Sequence, residues 1–172
     1  MKRRKLTRDY GWAGEQVVAS ELGQLPSEYS VLNRRIVQAP NGSRQEFDHI
    51  VVGPSGIFHI ETKNWAGEMI FEKEAVQREE GRADVEDPFA QLYRQGYVLK
   101  DRLRELGVDA PVYGVLCMTH PKAVWKGKTA FPTMRTEGVV SYILKKQSKQ
   151  PLRSAEIKKI VRAIREYSQS SK

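Results

Sequence analysis

The sequence predicts one α/β domain built on a mixed sheet, and three observations predict it. Residues 47–52 and 57–60 are short, Ile/Val/Phe-rich runs around Gly53-Pro54-Ser55-Gly56, the pattern of a β-hairpin. Residues 9–25 and 87–107 repeat apolar side chains at the helical period, and the second of these segments is followed by an apolar strand at 111–119. Neither an internal repeat nor a linker interrupts the 172 residues, and that length suffices for a sizeable single core.

Taken in order, residues 1–8 (MKRRKLTR) read as a basic disordered arm and residues 9–172 as one folded domain. The first helix, 9–25, takes Thr7 or Asp9 as its N-cap. At 100° per residue Trp12, Val18, Ala19, Leu22 and Leu25 share an apolar arc, with Glu15 near its middle. A carboxylate on a buried face is costly unless paired or bound to a cation. Glu15 is therefore either a site residue or a residue at the solvated edge of the arc. Gly11 and Gly14 let this helix approach a neighbour closely.

Residues 29–39 read as a strand that ends at the turn Pro40-Asn41-Gly42. The hairpin follows. Trp65-Ala66-Gly67 breaks its second strand, and 68–72 reads as a further short strand. Residues 73–86 are charged and aperiodic, a mobile or hairpin-like insertion. Asp87 caps the second helix, Pro88 takes its first position and Gly107 closes it. Phe89, Leu92, Tyr93, Gly96, Leu99, Leu103 and Leu106 form its apolar stripe. After the buried strand, 121–133 reads as a loop, 136–146 as a short helix and 151–168 as a final helix. In that last helix Ile157, Ile160, Val161, Ile164 and Tyr167 face inward. Lys158, Lys159, Arg162 and Arg165 face outward, as a DNA surface or as an ordinary solvated face. The predicted order is α-β-β-β-α-β-α-α.

The chain carries 29 Lys and Arg against 21 Asp and Glu, a formal charge of +8. Such a balance favours a polyanionic partner, DNA first among them. Mean hydropathy is -0.57. No apolar run approaches the roughly 20 residues needed to span a bilayer, so no membrane partner is expected. The basic start is not followed by the apolar segment of a secretory signal. Cys117 is the only cysteine, which excludes an intrachain disulfide. A cytoplasmic protein is the expectation.

The hairpin carries charge where a core hairpin should not: Asp48 in its first strand, Glu61 and Lys63 at the end of its second. Glu61 and Lys63 share a face because strand side chains alternate. With a symmetric loop, Val52 pairs with Ile57 and Asp48 lies opposite Glu61, their Cβ atoms roughly 5 Å apart. Two carboxylates that close repel, and a proton or cation must relieve them. Mg²⁺ or Mn²⁺ is the natural relief for oxygen ligands. With a three-residue loop the pairing shifts by one. His49 and His59 then join Glu61 and Lys63 in a zinc-like set. The apolar pattern does not separate the two registers. We favour the symmetric one because it gathers two hard-oxygen ligands and an ammonium.

Those groups suit phosphodiester hydrolysis. Asp48 and Glu61, with the backbone carbonyl of Thr62, are the candidate ligands of Mg²⁺ or Mn²⁺. Lys63 would position the attacking water and the scissile phosphate. Glu15 would hold a second metal or its water shell. The tripeptide Glu-x-Lys is unspecific alone: it recurs at Glu156-Ile157-Lys158, on a predicted helix whose positions two apart do not share a face. The bland alternative is a surface ion pair between Glu61 and Lys63.

The arrangement resembles the PD-(D/E)XK nuclease superfamily and, more closely, the nuclease-related domain (NERD) family. The matching pieces are Gly14-Glu15, Glu46-Phe47-Asp48-His49, Gly53-Pro54-Ser55-Gly56, Glu61-Thr62-Lys63-Asn64-Trp65-Ala66-Gly67, and Asp87-Pro88 with Gln91. They cover roughly residues 10–120. The resemblance implies a restriction-endonuclease-like α-β-β-β-α-β core with helices flanking a mixed sheet, the symmetric hairpin register, and a metal-dependent DNA-processing role. It also places Gln91 in the site, although Gln91 lies off the apolar stripe of its helix. The family usually has Asn where Asp87 stands, and both residues cap helices.

Three functions compete. The first is a Mg²⁺/Mn²⁺-dependent deoxyribonuclease of endonuclease or resolvase type. The second is a nucleic-acid-binding module that keeps the fold with little or no cleavage. The third is a zinc hydrolase on His49, His59 and Glu61. A one-site nuclease making a double-strand break needs two subunits or two visits, which leaves a homodimer open.

Overall fold

The hairpin is the centre of the sheet. In a computed structural model that describes residues 2–73, 75–78 and 87–170, β1 (Ser30–Gln38), β2 (Arg44–Gly53) and β3 (Gly56–Lys63) form an antiparallel meander. Side chains of residues 2–10, 73 and 75 lie outside the description. Val52 pairs with Ile57 and Gly53 with Gly56, so the loop is Pro54-Ser55 and the register is the symmetric one. Gly56 has φ +130°, and a Cβ there would lie 2.5 Å from the Pro111 carbonyl oxygen. Only glycine fits that turn. The β1–β2 turn places Gly42 at φ +86°, and the Asn41 side chain accepts the Ser43 N–H at 2.9 Å.

After the meander come β4 (Gly67–Lys73), β5 (Ala75–Arg78), β6 (Val112–Met118), β7 (Ala123–Thr129), β8 (Thr133–Arg135) and β9 (Ser168–Ser170). The main sheet runs β8-β6-β3-β2-β1-β9, with β8, β6 and β3 parallel and the rest antiparallel. The second sheet runs β5-β4-β7. Four helices are present among the described residues: α1 (Lys2–Leu22), α2 (Pro88–Leu106), α3 (Thr136–Lys145) and α4 (Ser154–Glu166). The architecture is mixed α/β with a mixed sheet.

Helices α1 and α3 cover one face of the main sheet, where Val18, Leu22, Val139 and Ile143 pack on Val51, Phe58, Ile60 and Val115. Helices α2 and α4 cover the other, where Leu99, Leu103, Ile160 and Ile164 pack on Ile50, Val52 and Ile57. Each such side chain contributes about 1.5–3 kcal/mol on burial. The small sheet docks Met69 and Phe71 against Phe89 and Leu92 of α2. The ends of α2 match the sequence signals: the Asp87 carboxylate accepts the Phe89 N–H at 2.9 Å, and Gly107 is left-handed at φ +62°.

Several expectations change. Helix α1 runs from Lys2 through Thr7 and Asp9, so it begins before both expected N-cap positions, while the side chains of the expected basic arm, 1–8, lie outside the described residues. Trp12 is 52 % exposed; the inward line is Gly14, Val18 and Leu22, one residue round from the predicted arc. Tyr93 is also exposed, because α2 turns Gln95 and Arg102 to the core instead, and Tyr167, at the end of α4, is exposed as well. Arg102 is satisfied there, donating Nε–H to the Gln38 carbonyl at 2.7 Å and lying 3.6 Å from the Tyr167 ring centre. The expected loop 121–133 contains β7, whose pairing partner β4 lies some fifty residues upstream and is invisible to a local pattern. Within 73–86, β5 makes a hairpin with β4, and residues 74 and 79–86 lie outside the described residues.

Candidate active site

The β2–β3 ladder stops at His49 opposite Ile60. One residue further, the Asp48 carboxylate takes over from the backbone. Its Oδ2 accepts the Thr62 N–H and the Thr62 hydroxyl, each at 2.7 Å. A side chain thus fills the gap where the two strands part. Within a strand a residue's N–H and C=O point to the same neighbour, so the Thr62 carbonyl opens onto the same gap.

Glu61 projects on the α2 side and is 2 % exposed. Lys63 donates from Nζ to Glu61 Oε1 at 2.6 Å and to Gln91 Oε1 at 3.2 Å. Gln95, one turn along α2 from Gln91, donates to Glu61 Oε2 at 3.0 Å and to the Glu46 carbonyl at 2.8 Å. Its amide nitrogen is thereby committed, so its Oε1 accepts from His59 Nδ1 at 2.9 Å, which assigns the His59 proton to Nδ1. Both oxygens of Glu61 are held.

Glu15 enters from α1. Gly14 makes that approach feasible: a Cβ there would lie 2.5 Å from Thr119 Oγ1 and 3.4 Å from Asn64 Cβ. Glu15 Oε2 meets Arg34 Nε at 3.4 Å. Arg34 is the single non-glycine residue with positive φ (+51°) among the described residues, a strain of about 1–3 kcal/mol.

Burial, with repulsion from Asp48, pushes both the Glu15 and the Glu61 carboxyl up to about 7. Burial also raises Asp48, against the opposing pull of its two bonds from Thr62. Three carboxyls that resist ionisation together form a centre that a cation would relieve. All are hard oxygen donors, which fits Mg²⁺ or Mn²⁺ better than zinc. Among the described residues, no three His, Cys, Asp or Glu side chains are already gathered as a metal cluster.

The structure brings Asp48, Glu61, Thr62, Lys63 and Gln91 to the open end of the hairpin, with Glu15 facing them from α1. The zinc set does not form. His49 pairs with Ile60 and points to the face opposite Glu61. There its Nδ1 bonds Asn33 Oδ1 at 2.8 Å, its Nε2 is buried without a partner, and burial lowers it to about 4. His59 does share the Glu61 face, but it is buried, spent on Gln95 and lowered to about 4 by burial. Sequence reasoning missed Gln95. The available signal was a polar residue at helical spacing between Leu92 and Leu99, the same logic that singled out Glu15.

The family model of the nuclease-related domain matches residues 10–119. The chain belongs to the nuclease-related domain family. The NERD match includes every residue just described as gathered at the hairpin, from Glu15 on α1 to Gln95 on α2. An uncharacterized protein of Bacillus anthracis is 34% identical over 89 residues, which make up 49% of this chain and 42% of that protein. The NERD chain therefore matches less than half the length of this curated relative. No helix among the described residues is long and apolar enough to cross a membrane.

Proposed function

We propose that the protein is a metal-dependent nuclease that hydrolyses DNA phosphodiester bonds as an endonuclease. The observation that carries this reading is the convergence of the half-buried Asp48 and the buried Glu61, two carboxylates with raised proton affinity, beside the Lys63 ammonium. Membership of the NERD family and the charge of +8 support it.

Asp48, Glu61 and the Thr62 carbonyl would hold Mg²⁺ or Mn²⁺. Bound there, the ion supplies Lewis acidity to the phosphate and to the attacking water. Thr62 fixes Asp48 through two bonds, and Gln95 fixes Glu61, so both carboxylates are preorganised. Gln91 steadies Lys63 from α2. Lys63 places the attacking water against phosphorus and offsets the charge that develops there. Glu15, with a proton affinity near neutrality, orders water on the α1 side and is suited to take its proton.

The test is a nicking assay on supercoiled plasmid. The parent protein, Asp48→Ala and Lys63→Ala are each incubated in Mg²⁺, Mn²⁺, Zn²⁺ and chelator. Nicking by the parent in Mg²⁺ or Mn²⁺ alone, lost in both variants, is expected. The charge of +8 supports equally a second reading, a nucleic-acid-binding module without cleavage. A parent that cuts in no metal but binds DNA with a salt-dependent affinity would establish that second reading instead.

A further inference from the structure

The strain at Arg34 has a place and a direction. Strands β1 and β2 pair at Asn33 with His49 and at Arg35 with Phe47, but the rung between them, Arg34 with Asp48, is not formed. At that same rung Asp48 turns to Thr62. Both strands change face there. Leu32 and Val37 sit in one core cluster although they are five apart, and Phe47 and Ile50 sit in that cluster although they are three apart. Regular alternation would put each pair on opposite faces. The left-handed backbone at Arg34 is the β1 half of this double switch.

Its consequence is a guanidinium beside the carboxylates. The Arg34 side chain is 30% exposed, and its charge acts on both Glu15 and Asp48. Lys63 lies on the opposite, α2, side, held by Gln91. A phosphodiester entering this centre meets Glu15, Asp48 and Glu61, and it needs cations on both flanks. A planar guanidinium matches phosphate oxygens in shape as well as charge.

We propose that Arg34 is a DNA-binding residue of this site, its guanidinium contacting a non-bridging phosphate oxygen on the α1 flank while Lys63 contacts the strand from the α2 flank. The inference rests on the nuclease reading above. The competing role is structural, with Arg34 serving only as the counter-ion of Glu15.

A substitution to glycine separates the two roles, because glycine removes the guanidinium and accepts positive φ without strain. Binding of a fluorescein-labelled DNA duplex is measured in chelator across a salt series for the parent, Arg34→Gly, Arg34→Lys and Lys63→Ala, with a thermal melt of each. The expected result for Arg34→Gly is a melting temperature equal to or above the parent's. Its DNA affinity falls about 10-fold and its slope of log K against log salt is shallower by about 1. Arg34→Lys recovers part of the affinity. An Arg34→Gly protein with the parent's affinity and slope, while Lys63→Ala is weakened, overturns the inference and leaves the nuclease reading standing. A parent without salt-dependent DNA binding overturns both.

Discussion

The Asp48 carboxylate accepts the backbone N–H and the hydroxyl of Thr62, each at 2.7 Å, where strand β2 no longer pairs with β3. One bond belongs to the backbone and survives every substitution at 62 except proline; the other needs a hydroxyl. Thr62→Ala is expected to cost about 1 kcal/mol in stability and to slow plasmid nicking about 10-fold, as Asp48 gains freedom. Thr62→Ser keeps both bonds and stays near the parent. Urea denaturation and nicking rates on the three proteins check this, and a Thr62→Ala enzyme at parental rate would show that the hydroxyl does not orient Asp48.

Gln95 is a positioning residue for Glu61. Gln95→Leu leaves Glu61 Oε2, His59 Nδ1 and the Glu46 carbonyl without the partner they share. The expected loss is about 2–3 kcal/mol, since buried polar groups are left unsatisfied. Nicking should fall further than stability explains. The check is a comparison of single-turnover rates with DNA affinity. A merely structural Gln95 would lower the amount of folded protein, yet leave the rate per folded molecule and its metal requirement unchanged.

Stability should depend on pH with two opposing contributions. Glu15 and Glu61 rise from 4.5 to about 7 on folding, so the folded state binds extra protons across that window. Their contribution falls as pH rises through it. His49 and His59 drop from 6.5 to about 4, so the unfolded state binds the extra protons and their contribution grows as pH rises from 4 to 6.5. The two offset each other below pH 6.5. Above it the histidine contribution fades while the folded carboxyls are still losing protons near 7, so the melting temperature in chelator is expected to fall between pH 6.5 and 8. A rise over that interval would contradict the assignment.

A divalent cation should reverse that fall. Mg²⁺ or Mn²⁺ competes with protons for Asp48 and Glu61, so its stabilisation is expected to be small at pH 5.5 and several degrees at pH 8. Asp48→Asn should abolish the shift. Calorimetry of both proteins at the two pH values, with and without the ion, decides it.

The hairpin register hangs on Gly56. Gly56→Ala adds a Cβ 2.5 Å from the Pro111 carbonyl oxygen at φ +130°, and neither contact nor dihedral can relax cheaply. A loss of about 2–4 kcal/mol is expected, read as a lower urea midpoint with an unchanged m-value. A midpoint like the parent's would mean that the turn re-forms around alanine.

Parts of this site were legible before folding because their signals are local. Asp87 and Gly107 bound α2 through contacts within one turn of the chain, and Gly53-Pro54-Ser55-Gly56 marks its own turn. Asp48, Glu61 and Lys63 stood out as charges inside apolar strands. Gln91, placed in the site through its family resemblance alone, does reach Lys63. Gln95 was harder to see, since a polar residue in an apolar stripe looks like an error in the stripe until its three partners are known.

The sequence by itself determined the four helices, the hairpin, the strands β1 and β6 and the identity of the charged groups, since turn chemistry, caps and periodicity act over a few residues. Tertiary structure alone decided the register, the pairing of β7 with β4, the face switch at Arg34 and the turning of Trp12 to solvent. Each of those depends on which distant segment lies alongside, and on what a buried charge finds there to satisfy it. No short window of sequence contains that information.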